Sequence, residues 1–257
     1  MPGGEFDSSK TRVAPLFDRL LEKDHTGQSW LPRLLSLPEH GSGVRPPSQC
    51  GPLRACGWGD KERALQPPVA LLAWLIRNLA QPIQPDTSSA WSKRQQLIAR
   101  NPAVTEEAMR LLRSDPSNRA WHVMEGPSYP DAFLATDDLV VVIEGKRTEA
   151  GPTTSTTWMP VRHQMLRHLD GALEILAGRS LYGLFLVEGN PDGALPGIWR
   201  EACVSTLTSE ALDGSLPHRG PGDRLLIRDA FLGATTWRVV CRALEVPLES
   251  LPERVAS

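Results

Sequence analysis

Residues 139–146 read Leu-Val-Val-Val-Ile-Glu-Gly-Lys, and this segment sets the expected fold. The five apolar residues that open it predict a strand buried on both faces. A glutamate and a lysine follow directly, although a charged pair beside a buried strand costs desolvation free energy unless it has a partner or a metal ion. Because strand side chains alternate between faces, Glu144 and Lys146 should project from one face and Gly145 from the other.

A second apolar run, Ala132-Phe133-Leu134, lies just upstream and follows Pro130-Asp131. The intervening Thr136-Asp137-Asp138 is typical of a tight turn. If this turn pairs the two strands, Asp131 comes within a few residues of register with Glu144. Two carboxylates and the ammonium group of Lys146 then converge.

These residue types suit the hydrolysis of a phosphodiester bond. Carboxylate oxygens hold Mg²⁺, the metal polarises the phosphate and activates water, and a nearby cation offsets charge in the transition state. We therefore expect a magnesium-dependent site at Asp131, Glu144 and Lys146, with Mn²⁺ as an alternative metal.

The surrounding pattern predicts the order helix, three strands, helix, strand. The first helix is Ala108–Arg113, opened by Thr105 and ended by Asp115-Pro116. Trp121–Met124 is the expected first strand of a three-stranded meander with the two runs above. The helical spacing of apolar residues over Met159–Ala177 and the continuous apolar run Leu181–Val187 complete the order.

Pro130-Asp131, twelve further residues and then Glu144-Gly145-Lys146 resemble the signature of the PD-(D/E)XK nuclease superfamily, over about residues 106 to 188. That family shares a restriction-endonuclease-like core with the order given above. The resemblance implies that Asp131 and Glu144 are metal ligands, that the Gly145 carbonyl is a further ligand, and that Lys146 orients water or stabilises the transition state.

The family pattern also implies two supporting residues. An upstream acid often completes the site; Glu125, Glu106 and Glu107 are candidates, and we favour Glu125. A glutamine recurs on the following helix, and Gln164 fits that place. The tyrosine often found four residues later is replaced here by His168.

Each of these residues also has an ordinary structural interpretation. Glu144 and Lys146 could form a simple ion pair at a strand end, and Asp131 could be a turn residue after a proline. Gln164 could be an exposed helix residue. At the level of function, the alternatives are a non-catalytic nucleic-acid-binding or assembly module with the same fold, or an unrelated α/β domain with a chance motif.

Composition narrows the function further. A formal net charge of -2 argues against coating nucleic acid by charge alone, so phosphate binding must be local. Nucleic acid, with DNA favoured over RNA, is the expected partner. The apolar runs are too short to cross a membrane and no signal-peptide pattern opens the chain, so we expect a cytoplasmic protein. The four cysteines lack zinc-site spacing and are expected to be reduced.

We expect an α/β protein in three parts. Residues 1–60 hold a disordered start over Met1–Ser9, one short helix, and a loop over Leu37–Gly59. Residues 61–119 form a helical subdomain, with a helix over Val69–Leu79 after two prolines. Residues 120–257 form the nuclease-like core and a C-terminal extension, in which we expect a helix, a short strand and a helix: Ile198–Leu212, Leu225–Phe231 and Thr235–Leu244.

Overall fold

A computed structural model describes residues 6–115 and 120–255. The strands are β1 (Glu39–His40), β2 (Ala55–Trp58), β3 (Ala132–Ala135), β4 (Leu139–Lys146), β5 (Ser180–Val187) and β6 (Phe231–Thr236). The α-helices are α1 (Ala14–Lys23), α2 (Leu31–Leu35), α3 (Val69–Asn78), α4 (Trp91–Ile98), α5 (Pro102–Ser114), α6 (Gln164–Leu173), α7 (Gly197–Thr206), α8 (Ser209–Ser215), α9 (Pro221–Ala230) and α10 (Trp237–Ala243). Among these residues, the strands form one six-stranded sheet in the order β1-β6-β5-β4-β3-β2.

Strand β4 lies in the middle of this mixed sheet. It pairs antiparallel with β3 through the tight turn and parallel with β5, which in turn pairs parallel with β6. All residues of β4 except Lys146 are buried, as the apolar run predicts. The predicted strands β3, β4 and β5 and the α/β class are thus confirmed.

Helices cover both faces of the sheet. On one face, α1, α2 and α10 pack against Leu134, Val141 and Ile143. On the other face, α6, α7 and α9 pack against Phe133 and Val142, the alternate residues of the same strands. Because β3 and β4 are covered on both faces, polar groups at the end of β4 lie in a largely water-excluded environment.

Helices α3, α4 and α5 form a third apolar cluster beside the sheet. The helix predicted over Val69–Leu79 is confirmed as α3, whereas the predicted Ala108–Arg113 is part of the longer α5. Helix α4 was not predicted, because only Leu97 of its residues is fully buried and its apolar periodicity is weak. Pro116, expected to follow the end of α5, lies outside the described residues.

The strand predicted over Trp121–Met124 is wrong. That segment is irregular, and Met124 packs into the cluster of α3–α5 instead of pairing in the sheet. The neighbour of β3 is β2, from within the stretch Leu37–Gly59 that we expected to be a loop; β1 also lies in that stretch. Short edge strands need few apolar residues, and the glycines and prolines of this stretch hid the sequence pattern of both strands.

The C-terminal expectations also change. The strand predicted over Leu225–Phe231 is wrong, since α9 runs to Ala230 and buries Ile227 and Ala230, three residues apart. The single helix predicted over Ile198–Leu212 divides into α7 and α8, and β6 ends where α10 begins. Helix α6 covers only part of the predicted span Met159–Ala177.

At the N-terminal side, Met1–Ser9 was expected to be disordered. Residues 1–5 lie outside the described residues, but a π-helical turn begins at Ser9 and the residues before it contact the sheet. In the described ranges, no helix has the length and apolar character needed to cross a membrane. All four cysteines are unpaired.

Candidate active site

The residues at the ends of β3 and β4 meet on the α6 face of the sheet. Ala132 lies opposite Ile143, so Asp131 is opposite Glu144 one residue further along. Gly145 points to the other face, where an added Cβ would lie 2.7 Å from Val13 and 3.1 Å from Trp237. The alternation expected from the sequence therefore places Asp131, Glu144 and Lys146 on one face.

Glu144 is the centre of the cluster, with its side chain 5% exposed. Its Oε1 lies 3.1 Å from Nζ of Lys146 and accepts a 2.6 Å hydrogen bond from Nε2 of Gln164. Its Oε2 lies 3.1 Å from Nε2 of His168. Since Gln164 and His168 are one turn apart on α6, that helix holds the carboxylate against β4.

The charges of this cluster support one another. Burial disfavours the ionised form of Glu144, but the hydrogen bond and charge of His168 and the charge of Lys146 outweigh it and hold its pKa below the usual range. Burial likewise disfavours the charged form of Lys146, yet Glu144 and Glu149 raise its pKa. Glu144 and Lys146 are therefore an ion pair at neutral pH.

Asp131 behaves in the opposite way. Burial, followed by the charge of Glu144, raises its pKa to about 8, although Oδ2 accepts a 2.8 Å hydrogen bond from the Gly145 amide and Lys146 acts against the shift. The positive charge of Lys146 acts mainly on Glu144, which it contacts directly. Asp131 therefore tends to hold a proton at neutral pH unless another cation is near it.

A third acid, Glu62, reaches the same place. It follows β2, whose Trp58 lies opposite Ala132, the neighbour of Asp131. Burial raises the pKa of Glu62, and Glu144 adds to the shift, while Oε1 accepts a 2.9 Å hydrogen bond from Ser9. Sequence reasoning missed Glu62, because in Asp60-Lys61-Glu62-Arg63 it resembles a solvated surface residue.

The N-terminal segment covers the Gly145 carbonyl. This oxygen, which the resemblance suggested as a metal ligand, accepts a 2.9 Å hydrogen bond from Oγ of Ser8. Together with the contact of Ser9 to Glu62, this bond fixes the start of the first helix at the edge of the acidic cluster. Ser8 and Ser9, at the end of the segment predicted to be disordered, therefore form a wall of the site.

The upstream acids suggested by the sequence lie elsewhere. Glu125 accepts three hydrogen bonds, of 2.7 to 3.2 Å, from the fully buried guanidinium of Arg162. Glu107 pairs with Lys93 at 2.6 Å on the helices beside the sheet, and Glu106 lies next to it on α5. The structure brings none of these three into contact with Glu144.

The donor set fits a small divalent cation that prefers oxygen. Among the described residues, no three His, Cys, Asp or Glu side chains are close enough as they stand to hold a metal. Mg²⁺, however, is commonly bound by one or two carboxylates and keeps several waters. A hydrated ion would take the place of the proton that the raised pKa of Asp131 retains, and it would satisfy the buried Oε1 of Gln164, which has no hydrogen-bond partner.

The arrangement can therefore bind a hydrated cation, orient a water molecule, and place an ammonium group near a developing negative charge. Gln164 and His168 hold Glu144, and the Gly145 amide holds Asp131. In comparisons with known proteins, no family model, no curated protein and no solved structure matches this chain.

Proposed function

We propose that this protein is a metal-dependent nuclease that hydrolyses phosphodiester bonds, with a core of the PD-(D/E)XK type. The observation that carries the proposal is the pairing of half-buried Asp131 with buried Glu144 across β3 and β4, with Nζ of Lys146 at 3.1 Å from the glutamate. Charged groups at the end of a buried strand cost free energy, so an arrangement with two acids and one base favours function over simple ion pairing.

The roles follow from the contacts. Asp131 and Glu144 would hold the cation, which would supply Lewis-acid activation of the phosphate and of water. Lys146, 12% exposed, keeps its ammonium group beside Glu144 and can interact with the charge that develops on the phosphate. Gln164 and His168 are positioning residues, because each bonds to an oxygen of Glu144.

Glu62 replaces Glu125 in this proposal as the upstream acid. The raised pKa of Glu62 arises from burial and then from the charge of Glu144, which identifies it as a member of the same electrostatic cluster. Glu125 is already neutralised by Arg162. We therefore expect Glu62→Gln to lower the cleavage rate more than a fold-preserving substitution of Glu106 does.

DNA is the substrate we propose first, because the family that the motif resembles acts mainly in repair, restriction and recombination. The test is a cleavage assay on single- and double-stranded DNA and RNA with Mg²⁺, Mn²⁺ or EDTA. The wild type is compared with Glu144→Gln and with the matched control Glu210→Gln, an exposed acid on α8.

We expect cleavage in Mg²⁺ or Mn²⁺ that EDTA and Glu144→Gln abolish and Glu210→Gln preserves. Nucleic acid that binds tightly in Mg²⁺ but stays intact would instead support the non-catalytic binding module. If the protein neither cleaves nor binds any of the four substrates, the proposal is overturned.

A further inference from the structure

A cavity of about 500 Å³ lies beside α6, between the loop after β4 and the segment before β3. This volume is in the range of small-ligand sites. The lining residues that matter here are Arg167, Thr153, Ser155, Thr156 and Thr157. The cavity thus combines one guanidinium group with a wall of hydroxyl side chains, and Glu125 also lines it.

Arg167 is held in place by two backbone carbonyl groups. Its NH2 group donates to the carbonyl oxygens of Gly126 at 2.9 Å and Pro127 at 3.1 Å. Its buried Nε has no hydrogen-bond partner within the described residues and lies 3.4 Å from Oε1 of Glu125, and the side chain is 26% exposed. The guanidinium is therefore fixed in orientation before any ligand arrives, which lowers the entropic cost of binding.

The positive charge of Arg167 is only partly compensated. Its nearest acid is Glu125 at 3.4 Å, but that carboxylate already accepts three hydrogen bonds from Arg162. Burial lowers the pKa of Arg167 in spite of Glu125, so the desolvated charge lacks a full counter-ion. An anion in the cavity would supply one.

The hydroxyl wall suits the same ligand. Threonine and serine hydroxyls donate to phosphate oxygens and add no charge. Thr156 begins a tight turn closed against Met159, and its buried Oγ1 has no hydrogen-bond partner. An unsatisfied hydroxyl next to a partly compensated arginine indicates a missing acceptor.

The cavity is coupled to the acidic cluster through the start of α6. The amide of Gln164 donates to the carbonyl of Thr153 at 2.8 Å, while its side chain donates to Glu144. Arg167 lies three residues further along the helix, about 5 Å along its axis. Gln164 and Arg167 thus lie within the first turn of α6, so one helix contributes to both the cavity and the acidic cluster.

We propose that this cavity binds a phosphate group of the substrate strand, close to the bond that the acidic cluster cleaves, with Arg167 and Thr156 as ligands. The inference rests on the proposed nuclease function and adds a specificity-determining site to it. The phosphate is either internal to the strand or a terminal phosphomonoester, and these two sources present the same chemistry to the guanidinium.

The test measures binding without cleavage. A labelled oligonucleotide is titrated in EDTA over a range of salt concentrations, with Arg167→Gln, Thr156→Val and the control Arg45→Ala, an exposed arginine on a loop. We expect Arg167→Gln to lower affinity by about tenfold or more and to reduce the slope of log affinity against log salt by about one. Thr156→Val should weaken binding by a smaller factor without changing the slope or the melting temperature, and Arg45→Ala should bind as the wild type.

Two further arms complete the test. Inorganic phosphate should raise the melting temperature of the wild type but not of Arg167→Gln, a readout that needs neither nucleic acid nor activity. Oligonucleotides with a 5′-phosphate, a 3′-phosphate or no terminal phosphate, and a closed circle, distinguish the sources. If the cavity binds a terminal phosphate, an oligonucleotide without that phosphate should lose as much affinity for the wild type as Arg167→Gln loses. If the cavity binds an internal phosphate, the closed circle and the unphosphorylated oligonucleotide should bind normally.

Wild-type affinity and salt slope in both cavity variants would overturn the inference, even if the protein cleaves DNA. A wild type that neither binds oligonucleotide nor responds to phosphate would overturn it as well. If Arg167→Gln fails to fold, the affinity of Thr156→Val decides the question, since the hydroxyl of Thr156 has no hydrogen-bond partner in the described residues. A protein that binds through Arg167 but never cleaves would refute the nuclease function alone.

Discussion

Lys146 is one of five lysines among 28 basic residues, and its ammonium group lies 3.1 Å from Oε1 of Glu144 in the acidic cluster. Carboxylates bind a cation in the ground state, whereas an ammonium group beside the phosphate acts on charge that develops in the transition state. Removing the lysine should therefore separate metal binding from catalysis.

We expect Lys146→Ala to reduce the cleavage rate by at least 10²–10³-fold, on the order of the loss of one transition-state donor, with near-normal metal binding and folding. Asp131→Ala and Glu144→Ala should lose metal binding as well as cleavage. Lys146→Arg should rescue poorly, because a planar guanidinium is bulkier and does not surrender a proton. Single-turnover kinetics and calorimetric titration with Mg²⁺ test this difference. Near wild-type cleavage by Lys146→Ala, in a preparation free of contaminating nuclease, would remove the lysine from the mechanism.

Asp131 gives a prediction about stability. Its pKa is raised from 3.8 to about 8 by burial and then by Glu144, so ionising it in the folded state opposes folding. The stability linked to its protonated form is present below pH 4 and is lost as the pH rises towards 8. Asp131→Asn should keep an oxygen for the Gly145 amide while removing this cost.

In EDTA, Asp131→Asn should therefore be more stable than the wild type at pH 8–9, by on the order of 1–3 kcal/mol, and the advantage should vanish near pH 4. Urea denaturation across this pH range measures it. Saturating Mg²⁺ should stabilise the wild type and narrow the difference at pH 8. A variant that is equally or less stable than the wild type at every pH would show that the aspartate carries no such cost.

At the scale of elements, α6 links the acidic cluster to the phosphate cavity and lies unusually close to β5. A Cβ added at Gly183 of β5 would lie 2.8 Å from Sδ of Met165 and 2.9 Å from Leu169. Glycine thus permits the close approach that lets Gln164 reach Glu144. A side chain at residue 183 therefore requires Met165 and Leu169 of α6, or the helix itself, to shift.

We expect Gly183→Ala to cost about 1–3 kcal/mol of stability through overpacking and to lower cleavage by moving Gln164 away from Glu144. The matched control is Gly222→Ala on α9, where nothing lies within 4 Å of the added Cβ. That control should be neutral or slightly stabilising, because alanine favours a helix over glycine. Chemical denaturation and cleavage rates at a temperature where both variants are folded provide the comparison. Full activity in Gly183→Ala would show that the close packing does not position Gln164.

At the scale of the whole molecule, Arg162 ties the C-terminal helices to the core. Its buried guanidinium bonds to Glu125 before β3, to Asp170 on α6 at 2.9 Å, and to the carbonyl of Ser215 at the end of α8 at 2.8 Å. Arg219 continues the network from Asp170 towards α9. Removing one partner leaves buried charges without compensation.

Arg162→Ala should therefore cost about 3–5 kcal/mol, far more than Arg113→Ala at an exposed position on α5. Arg162→Met, which fills the space without charge, should be no better, since Glu125 and Asp170 remain. Urea denaturation followed by circular dichroism measures all three. A loss below about 1 kcal/mol for Arg162→Ala would mean that water enters and replaces the guanidinium.

The sequence alone determined the centre of the sheet and the core of the site. The apolar run of β4, the turn before it and the period-two alternation fixed which side chains share a face, since these are local properties of a strand. Asp131, Glu144 and Lys146 follow from that pattern, whereas Gln164 was expected only from the family resemblance, and the structure brings Gln164 into contact with Glu144.

Only the tertiary structure decided the remaining partners. Glu62, Ser8 and Ser9 reach the cluster from more than 60 residues away in sequence, and no local pattern marks them. Tertiary packing likewise paired Glu125 with Arg162 in a buried ion pair. It also made β2, not Trp121–Met124, the neighbour of β3. The physical reason is common to these cases: burial and pairing between distant segments set the free energy of a charged side chain or a short edge strand, and neither quantity is encoded in the residues beside it.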